Sequence, residues 1–136
     1  MNCATKLLSE ELISSVGGAE QISHISLRYF NVVGSAIPEF GDNSKDNLVP
    51  KVFLALKNGK RPEIYGTDYP TPDGTCIRDY IHVEDLAAAH LKALAYLENG
   101  GASTTLNCGY SRGFTVKEVI AAVREIAGHD FTVTNA

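Results

Sequence analysis

Strand-like and helical segments alternate along this chain of 136 residues, and this alternation constrains the fold more than any other feature of the sequence. Stretches rich in β-forming residues predict strands at 22–30, 64–65, 77–83, 105–108 and 131–133. Apolar residues at helical spacing predict helices at 4–16, 47–58, 84–98 and 116–127. Strands that alternate with helices are typical of α/β proteins. The sequence therefore predicts an α/β fold.

Glycines and capping residues predict where the helices begin and end. Gly17 and Gly18 follow the first helical segment and are expected to stop it. Thr115 and Glu118 have the spacing of a capping box, which predicts the start of the last helix, and Gly128 predicts its end.

Charge and cysteine content exclude several classes of protein. A net charge of −4 disfavours binding to nucleic acid through phosphate contacts. No apolar run reaches the length of a membrane span, and the first residues lack the apolar centre of a signal peptide. Cys3, Cys76 and Cys108 are widely spaced, which indicates reduced thiols instead of a disulfide frame or a zinc site. We therefore expect a cytoplasmic protein without a bound metal.

Both ends of the chain have the character of interior segments. The first helix begins without a cap or a preceding strand, and the last predicted strand has barely begun when the chain ends. We expect residues 1–136 to form a single partial domain. The phosphate-binding patterns GxGxxG and GxxxxGK[ST] are both missing from the sequence. The chain alone is therefore not expected to hold the diphosphate of a dinucleotide.

The segment 65–86 is the most informative part of the sequence for function. It combines turn-forming residues, tyrosines, acids, an arginine and a histidine around one predicted strand. Arg78 is the best candidate to bind an anion, because a guanidinium group matches phosphate oxygens with two parallel hydrogen bonds. The alternative is an ion pair with Asp73, Asp79 or Asp85, and the residues alone do not decide between the two.

Two further positions have both a functional and a structural interpretation. Asn31 follows a predicted strand, where ligands bind in open α/β sheets, and it opens a predicted loop at 31–46. Its amide is suited either to a ligand hydroxyl or phosphate, or to forming a turn. His82 alternates with Tyr80 and Arg78 along the strand, and we expect His82 and Tyr80 to have structural roles.

Three stretches carry a resemblance to a known family: LRYFNVVGS at 27–35, DNLVP at 46–50 and IYGTDYPTPDGTCIRDYIHVEDLAAAH at 64–90. Together they resemble the C-terminal part of UDP-glucose 4-epimerases, which belong to the NAD-dependent epimerase/dehydratase group of extended short-chain dehydrogenase/reductases. The resemblance implies the substrate-binding portion of a Rossmann-type fold without its N-terminal, dinucleotide-binding half.

The resemblance implies a role for each position that matches a family motif. The positions implied for the UDP-sugar are Asn31 at the sugar or its phosphates, Asn47 and Leu48 at the UDP moiety, Glu63 and Tyr65 beside the uracil, and Arg78 at the diphosphate. The positions implied for the NAD cofactor are Lys6, which matches the lysine of the catalytic YxxxK motif, and Tyr29 and Phe30 on the nicotinamide side.

The implied reaction is the interconversion of UDP-glucose and UDP-galactose through a 4-keto intermediate, in galactose metabolism. The tyrosine of YxxxK falls at Asn2, and an amide cannot act as a general base. We therefore expect the chain alone to be inactive, with a Rossmann half as a possible partner and neither nucleic acid nor membrane as partners. The alternative functions are a non-catalytic UDP-binding module and an inert remnant domain.

Overall fold

A computed structural model describes residues 3–44, 46–128 and 130–135. The predicted α/β architecture is confirmed. The helices are α1 (Cys3–Glu20), α2 (Leu48–Lys57), α3 (Val83–Glu98) and α4 (Val116–Ala127), and a short 3-10 turn spans Pro38–Phe40. The strands are β1 (Ile25–Tyr29), β2 (Asn31–Val33), β3 (Glu63–Ile64), β4 (Ile77–His82), β5 (Thr104–Cys108), β6 (Gly113–Thr115) and β7 (Thr134–Asn135).

The chain forms two compact units, and the first consists of Met1–Tyr29 and Asp85–Cys108. In this unit β1 pairs with β5 in parallel, with Ile25 opposite Thr104 and Tyr29 opposite Cys108. The guanidinium of Arg28 donates to both carboxylate oxygens of Glu10, with Nε 2.9 Å from Oε1, and so links β1 to α1. This hydrogen bonding lowers the pKa of Glu10.

The helices of the first unit expose large apolar side chains. Leu12 on α1 is 64% exposed and Leu91 on α3 is 71% exposed. Others with about half or more of their surface accessible are Leu7, Leu8, Ile13, Val16 and Leu94. Several large apolar side chains exposed on the same helices are typical of surfaces that pack against other protein.

The second unit consists of Phe30–Glu84 and Gly109–Ala136 and contains two small sheets. In the first sheet β4 lies between β2, which is parallel to it, and β6, which is antiparallel. In the second, β3 pairs with β7 in parallel. A core of buried apolar residues joins α2, β3 and α4, and its members are Val52, Ile64, Ile120 and Val123.

The prediction that Gly17 and Gly18 stop the first helix is wrong, because α1 continues to Glu20. Gln21 adopts the left-handed conformation with φ 55°, and the amide of Ile22 donates to the carbonyl of Gly17 at 2.8 Å. This is the hydrogen-bond pattern of a Schellman helix end. Gly17 serves close packing instead, since a Cβ there would lie 2.8 Å from Nδ1 of His24.

Three predicted strand positions also need correction. The strand predicted at 22–30 is shorter, and residues 31–33, predicted as loop, form β2 because they pair with residues 80–82. The short strand predicted at 64–65 lies at 63–64, so Tyr65 follows it. The last strand is β7, not 131–133, because the residues that pair with β3 are Thr134 and Asn135.

Candidate functional site

One face of the β2–β4–β6 sheet carries the candidate ligand-binding residues. Successive residues of a strand point to opposite faces, and along β4 this places Ile81, only 5% exposed, on the buried face. Arg78, Tyr80 and His82 share the opposite face. Asn31 on β2 is the register partner of Tyr80, so it lies on that same face. The sheet therefore brings Asn31 and Arg78 together from separate parts of the sequence.

Arg78 forms no ion pair with a described carboxylate of its unit. Its side chain is exposed, and Nη1 donates to the carbonyl of Ile77 at 2.9 Å. The carboxylate of Asp73 accepts from the amide and hydroxyl of Thr75 at 2.8 and 2.7 Å. These contacts leave the remaining guanidinium donors of Arg78 directed to solvent, where an anion can bind them.

Asn31 is a strand residue, so the turn-forming interpretation is wrong for this position. Its Nδ2 donates to the backbone carbonyl of Asp79 at 3.0 Å, which fixes the orientation of the side-chain amide. Among the described residues Oδ1 of Asn31 has no donor, and it is suited to accept from a ligand hydroxyl.

The loop before β6 is anchored on the carboxylate of Asp79. This carboxylate accepts from the amides of Tyr110 and Ser111 at 3.2 and 3.0 Å. The next residue, Arg112, places its guanidinium carbon 4.7 Å from the centroid of the Phe114 ring. The sequence pattern alone assigns no role to Arg112, which lies in the glycine-flanked turn GYSRG.

Glu63 and Tyr65 form a polar and aromatic pair at the end of β3. The hydroxyl of Tyr65 donates to Oε2 of Glu63 at 2.5 Å, and this hydrogen bond raises the pKa of Tyr65. Nζ of Lys51 lies 5.7 Å from the centroid of the Tyr65 ring, and Tyr65 is 63% exposed. An exposed aromatic ring beside hydrogen-bonding groups is suited to stacking against a planar base.

Asn47 and Leu48 lie at the start of α2 and have different environments. Nδ2 of Asn47 donates to Oδ2 of Asp42 at 2.9 Å, and hydrogen bonds from Asn47 and Ser44 lower the pKa of Asp42. Leu48 is partly buried and packs against the core of the second unit. Asn47 is therefore held by an acidic loop residue, whereas Leu48 contributes to packing.

Lys6 and Tyr29 lie together in the first unit. Nζ of Lys6 is 5.9 Å from the centroid of the Tyr29 ring, and Tyr29 is the last residue of β1. Phe30 belongs to the second unit and is 48% exposed. Asn2, at the position expected for the catalytic tyrosine, lies outside the described residues.

His82 is surrounded by backbone contacts. Its amide donates to the hydroxyl of Tyr110 at 3.3 Å, and Nδ1 accepts from the amide of Glu84 at 3.3 Å. A Cβ on Gly34, which has φ 88°, would lie 2.2 Å from the imidazole ring. Burial raises the pKa of Tyr80. These contacts give His82 a positioning role between β4, α3 and the loop after β2.

Within the described part of the chain, no group of three or more His, Cys, Asp and Glu side chains is arranged to hold a metal ion. Cys76 and Cys108 are free thiols. None of the described helices combines the length and apolar character needed to cross a bilayer.

Residues 3–109 match the model of the NAD dependent epimerase/dehydratase family, which is most of the chain. The chain belongs to this family. It is 45% identical to the UDP-glucose 4-epimerase of Azospirillum brasilense, over 98% of this chain and 39% of that protein. The resemblance recognised in the sequence is thus confirmed.

Solved structures of related enzymes have the same fold. A crystal structure of UDP-glucose 4-epimerase matches with a TM-score of 0.87 at 43% identity, over 98% of this chain and 42% of that one. The enzyme from Bifidobacterium longum in complex with NAD+ and UDP matches with a TM-score of 0.80 at 37% identity, over 98% of this chain and 41% of that one. The chain therefore spans about two fifths of the length of the relatives it matches.

Proposed function

We propose that this chain is the UDP-sugar-binding part of an NAD-dependent epimerase that interconverts UDP-glucose and UDP-galactose. The observation that carries the proposal is the exposed guanidinium of Arg78, which has no carboxylate partner among the described residues of its unit and shares a sheet face with Asn31. An exposed guanidinium with unused donors and a side-chain amide on the same face offer donors for a diphosphate and an acceptor for a sugar hydroxyl. Residues 1–136 then act as one partial domain of a larger fold.

The remaining UDP contacts are proposed from the family resemblance and involve residues of β3 and α2 and the residues next to them. Tyr65 and Glu63 flank the uracil, with the exposed ring of Tyr65 against the base and the carboxylate of Glu63 at its edge. Asn47 and Leu48 at the start of α2 contact the UDP moiety, where Asn47 supplies the polar group. In this arrangement Arg78 binds the diphosphate and Asn31 the sugar or its phosphates.

The residues present fit only the nicotinamide end of NAD. Lys6 and Tyr29, both in the first unit, place an ammonium group over an aromatic ring. A bound NAD would accept a hydride from carbon 4 of the sugar and return it. The sequence contains no glycine-rich phosphate loop, so no step through the cofactor is assigned to this chain.

A Rossmann half would complete the site and cover the exposed apolar residues of the first unit. Leu8 and Leu12 on α1 and Leu91 on α3 are 63–71% exposed, which supports a protein partner at these helices. Asn2 cannot abstract the proton of the sugar 4-hydroxyl, because an amide is not a base near neutral pH. The chain alone is therefore proposed to bind UDP-sugars without turning them over.

Thermal unfolding with and without UDP tests the binding. At 100 times its dissociation constant, a ligand of the folded state adds about 2.7 kcal/mol to the free energy of unfolding. We expect UDP to raise the melting temperature by several degrees, and Arg78→Ala to remove most of this rise. A cooperative transition that UDP does not move would favour an inert remnant and refute the proposal.

Turnover is tested by mixing the chain with the N-terminal Rossmann part of the Azospirillum brasilense relative, and adding NAD and UDP-galactose. We expect no conversion by the chain alone, and conversion to UDP-glucose in the mixture only where the added part supplies the general base that Asn2 cannot provide. Binding that depends on Arg78, without turnover in any mixture, would identify a non-catalytic UDP-binding module. Turnover by the chain alone would contradict the expectation that Asn2 leaves the chain without a general base.

A further inference from the structure

A second arginine, Arg112, is linked to the position of Arg78 through Phe114 of the β2–β4–β6 sheet. Arg78 on β4 is the register partner of Phe114 on the antiparallel strand β6. Directly opposed residues of antiparallel strands point to the same face, with Cα atoms about 4.5–5.5 Å apart. Arg112 stacks its guanidinium over the ring of the same Phe114 at 4.7 Å. One aromatic ring is thus adjacent to two arginines.

The backbone that carries Arg112 is held in place by tertiary contacts. The carboxylate of Asp79 binds the two amides before it, and Ser111 takes the left-handed conformation with φ 58°. On its other side, Gly113 packs so closely on β4 that a Cβ would lie 2.3 Å from Cγ2 of Ile77. This loop is therefore ordered before any ligand binds, which reduces the entropy lost on binding.

The two arginines form a local excess of positive charge in an acidic protein. Neither Arg78 nor Arg112 forms an ion pair with a described carboxylate of their unit, and both side chains are exposed. The whole chain carries a net charge of −4, so the pair is not part of a general basic surface. A guanidinium stacked on a ring keeps its edge N–H groups free, and these groups match phosphate oxygens.

We propose that Arg112 is a second diphosphate-binding residue, which acts together with Arg78 on the same ligand. The inference rests on the proposed function, because it places the diphosphate of a UDP-sugar at Arg78. Phe114 holds the Arg112 guanidinium by stacking, and Asp79 holds the loop from the other side of the strand. A ligand with two adjacent phosphoryl groups then meets one guanidinium from β4 and one from the loop before β6.

Calorimetric titration of the full chain with UDP, uridine and inorganic pyrophosphate tests the inference. We expect Arg112→Ala to weaken UDP and pyrophosphate binding about tenfold, which is the loss expected for one charge-assisted contact. Uridine carries no phosphate and should bind equally to both proteins. Arg112→Gln keeps most of the side-chain length without its charge and should show the same loss. Arg61→Ala removes another exposed arginine of the unit and is the matched control, with unchanged affinities expected.

The outcomes separate the inference from the proposed function. Unchanged UDP affinity in Arg112→Ala, together with weaker binding by Arg78→Ala, would overturn the role of Arg112 and leave the proposed function standing. Pyrophosphate binding that depends on Arg112 without any UDP binding would support the anion site and refute the UDP-sugar function. If neither UDP nor pyrophosphate binds, the inference is overturned.

Discussion

Replacing Gly34 with alanine should destabilise the protein through two separate effects. Gly34 has φ 88°, in the left-handed region, where a residue with a Cβ lowers the free energy of unfolding by about 1–2 kcal/mol. The new Cβ would also lie 2.2 Å from Cδ2 and Nε2 of His82, so the imidazole must move. Displacing a packed side chain costs about 1–3 kcal/mol. The expected total is therefore about 2–5 kcal/mol.

Gly59→Ala is the matched control for the conformational part of this loss. Gly59 also has a positive φ, of 64°, but no atom lies within 4 Å of the position of its Cβ. Thermal unfolding followed by circular dichroism compares the two variants, and each kcal/mol corresponds to about 4 °C in a chain of this size. We expect Gly34→Ala to lower the melting temperature by roughly twice as much as Gly59→Ala or more.

A double variant identifies His82 as the source of the difference. In a His82→Ala background the steric conflict is absent, so Gly34→Ala should cost about as much as Gly59→Ala does in the parent protein. The coupling between Gly34 and His82 is the part of the loss that disappears. Equal losses for Gly34→Ala and Gly59→Ala in the parent protein would refute the reasoning.

Three further predictions concern the second unit. Thr115→Ala should lower the free energy of unfolding in urea by about 1–2 kcal/mol, because it removes the cap of α4, whereas Thr115→Ser should keep most of the stability. Equal losses in the two variants would contradict the capping role of Thr115. Hydrogen bonds from Thr115 and Thr75 lower the pKa of Asp73, so its contribution to the free energy of unfolding is present above about pH 4 and is lost as the pH falls further. Asp73→Asn should reduce this loss of stability in acid. The same dependence of stability on pH in both proteins would argue against a stabilising role for Asp73. Ile64→Ala should lower the free energy of unfolding by about 2–5 kcal/mol, because it leaves a cavity in the core. Ile126→Ala, at a position that is 78% exposed, should change it by less than about 0.5 kcal/mol. Similar losses in the two variants would show that Ile64 is not a core residue.

Local signals predicted the last helix best. The helix predicted at 116–127 has those bounds in the structure, and Thr115 and Glu118 form the predicted capping box. Gly128 ends the helix in the left-handed conformation with φ 68°. These features depend on residues within one or two helical turns of each other, and such short-range hydrogen bonds and conformational preferences are readable from sequence.

Signals that compete with tertiary packing were misleading. Glycine is typical of a helix end, but the helix continues past Gly17 to Glu20, and the missing side chain of Gly17 makes room for His24. Residues 31–33 lie at the start of a stretch that the sequence predicts as a loop, yet they form β2 by pairing with β4, which lies almost fifty residues later in the chain. No local pattern contains the partner strand, so the pairing cannot be predicted from either segment alone.

The candidate site divides in the same way between sequence and structure. The residues of the segment 65–86 predicted Arg78 as a candidate anion ligand, but its chemistry left an ion pair with a nearby aspartate equally open. The structure removes two of those partners, because Asp73 binds Thr75 and Asp79 binds the loop at Tyr110. Whether an aspartate pairs with Arg78 or with another donor depends on distances in the folded chain, and proximity in the sequence does not reveal these distances.

The sequence by itself determined the α/β class and the family, and it supplied the polar residues predicted to bind a ligand, since these depend on periodicity, motif and side-chain chemistry. Only the tertiary structure decided which of these residues lie together. Strand pairing places Asn31 beside Tyr80 and Phe114 opposite Arg78, and stacking on Phe114 adds Arg112. The physical reason is that sheet hydrogen bonds join distant segments in a register set by packing on the buried face, where Ile81 and Thr115 lie.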